Sequence, residues 1–306
     1  MAALSIGQRR HMSPLQRRNA MYGYIAILPW FLGFLIFTAG PMIYSGYLTF
    51  TDWELLTPPE WIGLENYRDL LDDPAVRTAL QNTFIYTIFS VPLQLLVAFG
   101  VALLLNLNIR GKNIYRALAF LPSQMPAVAT AMLWFFIFSP TQGLANAAIG
   151  VFGIPPQTWL WDIGLVKPAL IAIAIWAFGG AMIIFLAGLQ DIPQSLYEAA
   201  EIDGAGTMSK MWNITIPLLT PTIFFNLVIG LIAAIQVFTP VYLMTGGGPG
   251  NSSTMMGLLI YQEGFEEYNM GYASLLAWVL FMIVIVLTII QFTIARKWVY
   301  YEGDRP

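Results

Sequence analysis

Few residues of this chain could do covalent chemistry, and their number and spacing exclude most of it. There is one histidine, His11, in the polar N-terminal stretch, and there is no cysteine. A Ser-His-Asp triad, a multi-histidine metal site, thiolate ligation and disulfides are therefore excluded, and no metal site is expected. Gly111-Lys112 is followed by Asn113, and no glycine stands five positions before Gly111. The phosphate loop G-x-x-x-x-G-K-[ST] is thus missing, and the chain has no visible means of binding ATP. The glycines of Thr245-Gly246-Gly247-Gly248-Pro249 have no lysine after them. They are expected to form a flexible external turn.

One polar stretch has a chemically specific pattern. Glu198-Ala199-Ala200-Glu201-Ile202-Asp203-Gly204-Ala205 leads to Ile214-Thr215-Ile216-Pro217-Leu218-Leu219-Thr220-Pro221. Ser195 and Glu198 have the S-x-x-E spacing of a capping box, which predicts a helix start. Leu196, Ala199 and Ala200 then share one face. Gly204 suits the left-handed residue that ends a helix, and Pro217 and Pro221 punctuate the way into the next apolar run. The expected shape is a short helix, a sharp bend and a second short piece. Its small-residue face would let another protein approach closely.

The elements that must position this stretch are set by composition. The 306 residues are 58% hydrophobic and 10% charged, with mean hydropathy +0.67. That composition is far more apolar than a soluble domain and long enough for six membrane spans. Apolar runs cover about 22–48, 83–107, 114–138, 168–190, 220–243 and 272–295. Pro29 and Pro41 are expected to kink the first, and Pro122 and Pro126 to make the third irregular. An acidic segment from Thr51 to Gln81, with Trp53, Trp61 and Tyr67, suits a membrane interface. Residues 138–167 read as a surface-lying loop. The expected organisation is a basic tail (1–21), a six-span unit (22–297) containing a polar loop (191–217), and a short tail (298–306). The basic N-terminus, with Arg9, Arg10, Arg17 and Arg18, precedes a run too long for a cleaved signal.

Placement of Lys and Arg orients the chain. The N-terminal tail, the region of Arg110, Lys112 and Arg116, Lys210, and the end carrying Arg296, Lys297 and Arg305 together hold eleven of the fourteen. The other side has only Arg68, Arg77 and Lys167. Both termini and the Glu198 loop are therefore expected to be cytoplasmic.

The pattern E-A-A-x-x-D-G-A followed by I-T-I-P-L-L-x-P resembles the cytoplasmic loop of ABC importer permeases. Thr245 to Thr254, Ile260-Tyr261, Phe265 and Met270-Gly271-Tyr272-Ala273 are similar to the carbohydrate branch, of the maltose/glycerol-phosphate type, and to the first of two paired permeases. Gly63-Leu64-Glu65-Asn66-Tyr67 resembles the first external loop of sugar-type permeases. Met211 departs from the pattern, since many relatives carry an aromatic residue there. The resemblance implies an all-α membrane protein with six spans and a coupling helix, in a bacterial or archaeal inner membrane. It implies a second homologous permease, two ATPase subunits that bind ATP and Mg, an extracytoplasmic substrate-binding protein, a sugar-like solute and surrounding lipid; no nucleic acid is expected. The chain itself would be non-catalytic. Coupling would fall to Glu198, Ala199, Ala200, Asp203, Gly204, Ala205, Ile214 and Pro217.

The expected spans contain almost no charge, which disfavours ion-coupled carriers. Neutral polar and aromatic groups remain: Gln94, Ser123, Gln124, Trp176, Gln236, Thr239 and Tyr242. Such groups suit an uncharged polyhydroxylated solute, and they equally suit hydrogen bonding between membrane helices. Gln236, Thr239 and Tyr242 are the candidates for a solute path. The alternatives are an ATP-independent carrier or channel for a neutral polar solute, and a membrane enzyme, which would need an acid, histidine or cysteine cluster.

Overall fold

Long apolar runs dictate helices, and the computed structural model describes residues 14–300 as helices joined by short connections. His11, Arg9, Arg10 and Arg305 lie outside the described residues. α1 (Pro14–Phe34) passes through a π-helical turn (Leu35–Ala39) into α2 (Gly40–Leu48). The first helix therefore already includes residues 14–21 of the stretch expected to be a tail, because Arg17 and Arg18 continue it without a breaker. The turn before Pro41 closes through the Gly40 N–H to the Leu35 carbonyl, so the irregularity precedes that proline. A two-residue hairpin, β1 (Thr51–Asp52) and β2 (Glu60–Trp61), leads to α3 (Glu65–Asp72). Asn66 fastens this corner by donating to the carbonyls of Thr49 (3.1 Å) and Thr51 (3.0 Å).

α4 (Pro74–Asn106) begins nine residues before the apolar run does. The reason is local: Asp73 accepts from the Ala75 N–H at 2.7 Å and Pro74 occupies the first turn. α5 (Lys112–Phe120) continues through a 3-10 turn (Leu121–Gln124) and meets α6 (Ala127–Ile137) at 97° across Met125-Pro126, so the expected irregular helix is a sharply broken one. The loop after it holds α7 (Leu144–Gly150). Asn146 organises it, donating to the Pro140 and Gln157 carbonyls and accepting from Gln157 N and Trp159 Nε1. α8 (Val166–Trp176) and α9 (Gly179–Asp191) form a second broken pair, bent by 44°.

After α10 (Gln194–Ile202) and α11 (Thr207–Lys210), a π-helical turn (Met211–Thr215) enters α12 (Ile216–Ile235). α13 (Thr239–Met244), α14 (Met256–Tyr261) and α15 (Met270–Ala295) complete the chain. Among the described residues, four helical stretches are long and apolar enough to cross a membrane, and the two broken pairs raise the number to six. Charges sit near helix ends: Arg17 and Arg18 on α1, Arg77 on α4, Lys112 and Arg116 on α5, Lys167 on α8 and Asp191 on α9.

The main core gathers α4, α8, α9 and α12 around Leu95, Leu170, Met182, Phe185 and Leu219. A second core packs α14 and α15 on the start of α4, around Val76, Leu259 and Leu276. α1 buries none of its side chains. Small residues let helices cross closely, as is usual in membranes where lipid offers no hydrophobic drive to helix pairing. Gly179 is one such contact: a Cβ there would meet the Ala119 carbonyl at 2.7 Å and Phe120 Cα at 2.9 Å.

The Gly-rich connection is ordered, contrary to the flexible turn expected of it. Ser253 Oγ bridges Thr245 Oγ1 (2.8 Å) and the Gly248 carbonyl (2.6 Å). Asn82 of α4 donates to the carbonyls of Asn251 and Thr254, and Lys167 of α8 reaches Asn82 Oδ1 (3.0 Å) and the Ser252 carbonyl (2.9 Å). Side chains from two distant helices thus satisfy a backbone that composition alone marked as loose.

Candidate functional site

The polar loop is built on α10. Pro193, extended at ψ 127°, is its N-cap, and no side chain caps the helix. The Ser195–Glu198 capping box is therefore not formed: the helix begins one residue earlier, which puts Ser195 inside the first turn with its backbone already helical. The other end follows the expected pattern. Gly204 has φ +76°, Gly204 N–H donates to the Glu201 carbonyl (3.0 Å) and Ala205 N–H to that of Ala200 (2.8 Å). These two bonds make a Schellman ending, which only a residue free to be left-handed completes without strain.

An ion pair closes the bend. Lys210 Nζ lies 2.6 Å from Glu201 Oε1, and it is the only ion pair among the described residues. The lysine's hydrogen bond, and then its charge, holds the Glu201 carboxyl below the usual carboxylate range. Tyr197 and Thr215 hydroxyls meet at 3.0 Å, tying α10 to the π-helical turn. Glu201, Lys210, Tyr197 and Thr215 were not picked out by sequence reasoning. The i, i+9 spacing of opposite charges around Asp203-Gly204 was the available signal for the first two.

Glu198, Ala199, Asp203 and Gly204 are exposed, and Ala200 and Ala205 half-buried. The helix buries none of its residues, and Ile202 is 87% exposed and Trp212 62%. Ile214 lies half-buried in the π-helical turn, and Pro217 in the first turn of α12. Pro217 and Pro221 were expected to punctuate the way into the apolar run, but helix runs through both. Pro221 cannot bond the Pro217 carbonyl, and Thr220 Oγ1 takes that carbonyl instead at 2.7 Å. The same oxygen accepts the Tyr300 N–H at 2.8 Å, so the segment after α15 is fastened where the loop enters α12.

The second candidate region is the break between α12 and α13. Gln236 is the exposed C-cap of α12, Thr239 starts α13 half-buried, and Tyr242 is 38% exposed. The structure sets Tyr242 in an aromatic cluster. Its ring lies 5.2 Å from Phe238 and 4.9 Å from Tyr261, and Tyr261 stacks on Phe265 at 5.4 Å. Gln94 is helix glue, donating to the Ala177 carbonyl at the α8–α9 break (3.2 Å). Trp176 sits edge-on to Trp134 at that break. Ser123 bonds the Phe120 carbonyl of its own turn, and Gln124 bonds Ser123.

A charged, stapled hairpin with apolar exposed edges can offer a surface to another protein, and aromatic faces beside a helix break can hold an uncharged polar molecule. Residues 94–300 match the family described as binding-protein-dependent transport system inner membrane component. The "Probable ABC transporter permease protein YesP" of Bacillus subtilis is 41% identical over 94% of this chain and 94% of its own. The "Trehalose/maltose transport system permease protein MalF" of Thermococcus litoralis is 32% identical over 93% of this chain and 97% of its own. In three dimensions the chain is similar to a solved bacterial ABC transporter involved in the import of the acidic polysaccharide alginate. The TM-score is 0.80 at 25% identity, covering 92% of this chain and 96% of that one.

Proposed function

The chain belongs to the family of binding-protein-dependent transport system inner membrane components, and from that membership we propose that it is the permease subunit of an ATP-driven importer for a sugar or sugar-like solute. The observation that carries the reading is the α10 hairpin: polar, stapled by Glu201–Lys210 and closed at Gly204, it has no fully buried residue in α10. A rigid element with an uncovered face is what a separate motor subunit needs to push on. The sequence has no phosphate loop of its own.

In this reading the loop and both termini face the cytoplasm, as the distribution of Lys and Arg supports. Two ATPase subunits hold ATP and Mg below, and a second permease completes the path. An extracytoplasmic binding protein delivers solute to the opposite side. Glu198 and Asp203 contact the motor, Ala199, Ala200 and Ala205 give it close approach, and Gly204 fixes the bend. Ile214 and Pro217 carry the movement into α12. At its far end Gln236, Thr239 and Tyr242 border the solute path. ATP and the loaded binding protein must both favour the outward-facing state for coupling to exist. The named relative that transports trehalose and maltose, and the neutral, aromatic character of the path residues, favour a carbohydrate.

Co-purification in mild detergent, followed by ATPase assays with the binding protein and a panel of sugars, tests this. We expect an ATPase subunit in the complex, stimulated by one loaded binding protein. A chain that purifies alone and moves solute in liposomes without ATP overturns the reading. A bulky acid at the bend, Gly204→Asp, is expected to uncouple ATP hydrolysis from transport while insertion stays normal; normal transport by that variant removes the loop from the mechanism.

A further inference from the structure

Lys167 is the second residue of α8, at the end where the helix dipole disfavours a cation. It is half-buried, and among the described residues no carboxylate pairs with it. Its ammonium donates to uncharged oxygens instead, Asn82 Oδ1 of α4 at 3.0 Å and the Ser252 carbonyl at 2.9 Å. Asn82 is buried and turns its amide nitrogen to the carbonyls of Asn251 (3.0 Å) and Thr254 (2.9 Å). The lysine fixes that orientation, because the flipped amide would set its own N–H groups against the ammonium. Lys167 and Asn82 together hold the carbonyls of Asn251, Ser252 and Thr254 in the connection between α13 and α14. The next residue of α4 completes the clamp: Thr83 Oγ1 accepts the Met256 N–H, at the start of α14, at 3.0 Å.

What the clamp holds is aromatic. The connection joins α13, which carries Tyr242, to α14, which ends at Tyr261. The two rings lie 4.9 Å apart with their hydroxyls at 3.4 Å, and Phe238 lies 5.3 Å from Tyr261. α14 also crosses close to the α12–α13 break: a Cβ on Gly257 would meet the Val237 carbonyl at 2.9 Å. A shift of α14 therefore moves Tyr261 against Tyr242. We propose that Lys167 is a positioning residue for transport, which through Asn82 and the connection sets the Tyr242–Tyr261 face along which solute passes; this rests on Tyr242 bordering the solute path, as proposed above. The ammonium does this better than a neutral donor, because hydrogen bonds from a charged group are the stronger ones and polarise the amide they reach.

Two readouts on the whole reconstituted complex test this. Hydrogen–deuterium exchange over 251–261 reads the clamp with no solute present. Lys167→Met removes two charge-assisted bonds, and exchange there should quicken by about tenfold or more. The second readout is uptake per ATP hydrolysed, using in radiolabelled form the sugar that stimulates the ATPase in the panel above. We expect that ratio to fall in Lys167→Met, because the motor still turns over while the aromatic face is displaced. A complex that merely assembles less well loses uptake and hydrolysis in proportion and keeps its ratio, which counts against the proposal. Lys167→Arg, a cation of similar reach, should recover both readouts. Lys167→Gln, which keeps a donor at this half-buried position, replaces the methionine variant if that one does not assemble. Unchanged exchange overturns the positioning role and leaves the path reading standing. Quickened exchange with an unchanged ratio means that the clamp exists but Tyr242 and Tyr261 do not border the path, and the proposal then falls with the path reading.

Discussion

At the scale of single residues, the loop depends on two contacts that can be removed one at a time. Glu201 is held ionised by Lys210, and its lowered carboxyl pKa gives the sign of the pH response. A carboxylate whose folded pKa is depressed contributes above its ordinary value near 4 and stops contributing as pH falls through the folded one. Limited proteolysis within 201–210 should therefore be slow at neutral pH and accelerate only on acidification. In Lys210→Gln protein it should be fast throughout, and a pH-insensitive wild type would sink the claim. Thr220 is the other contact. Its hydroxyl fills the gap left by Pro221 and receives the Tyr300 N–H. Thr220→Val leaves two backbone groups unpaired and should cost about 1–3 kcal/mol in detergent unfolding, whereas Thr220→Ser should cost little.

At the scale of elements, the breaks in the helices are where packing is decided. α9 starts against the backbone of α5, with Gly179 as the contact and its neighbour Gly180 facing open space. Gly179→Ala must push α9 off Ala119 and Phe120, which are backbone and cannot yield. We expect a loss of about 1–3 kcal/mol, read as a fall in melting temperature. Gly180→Ala meets nothing within 4 Å and should be near neutral. Equal effects from the two would mean that the crossing does not govern stability. The first break was legible as Pro122 and Pro126, though its angle was not; the 44° break between α8 and α9 falls in a run read as one continuous span over 168–190. Leu121-Pro122 marked irregularity; the 97° turn follows from where Ala127–Ile137 packs, and that is a tertiary fact.

At the scale of the whole molecule, what the sequence made legible is what local physics controls. Apolar runs announced spans because a bilayer admits little else. Gly204 announced the bend because few residues take φ +76° without cost. Ser195 misled because the capping pattern is local while the preceding Pro193 already sets the helix start. The Gly-rich connection misled for the opposite reason: Asn82 and Lys167, far off in sequence, are what order it. Tyr261 and Phe265, named from the sequence only for their resemblance to the carbohydrate branch, join Tyr242 by the same long-range packing.

The distribution of charge has an electrical consequence. This chain's formal charges lie near the ends of its helices, so a rocking motion of those helices carries almost none of them across the field of the membrane. A charge moved through the full potential would gain or lose about 2.3 kcal/mol per 100 mV. With almost none to move among the described residues, this subunit is expected to contribute little voltage dependence to the conformational switch. Uptake into vesicles clamped by a potassium gradient and valinomycin should proceed at the same rate at either polarity. A rate that follows the sign of the potential would place a moving charge in a partner subunit or on the solute itself.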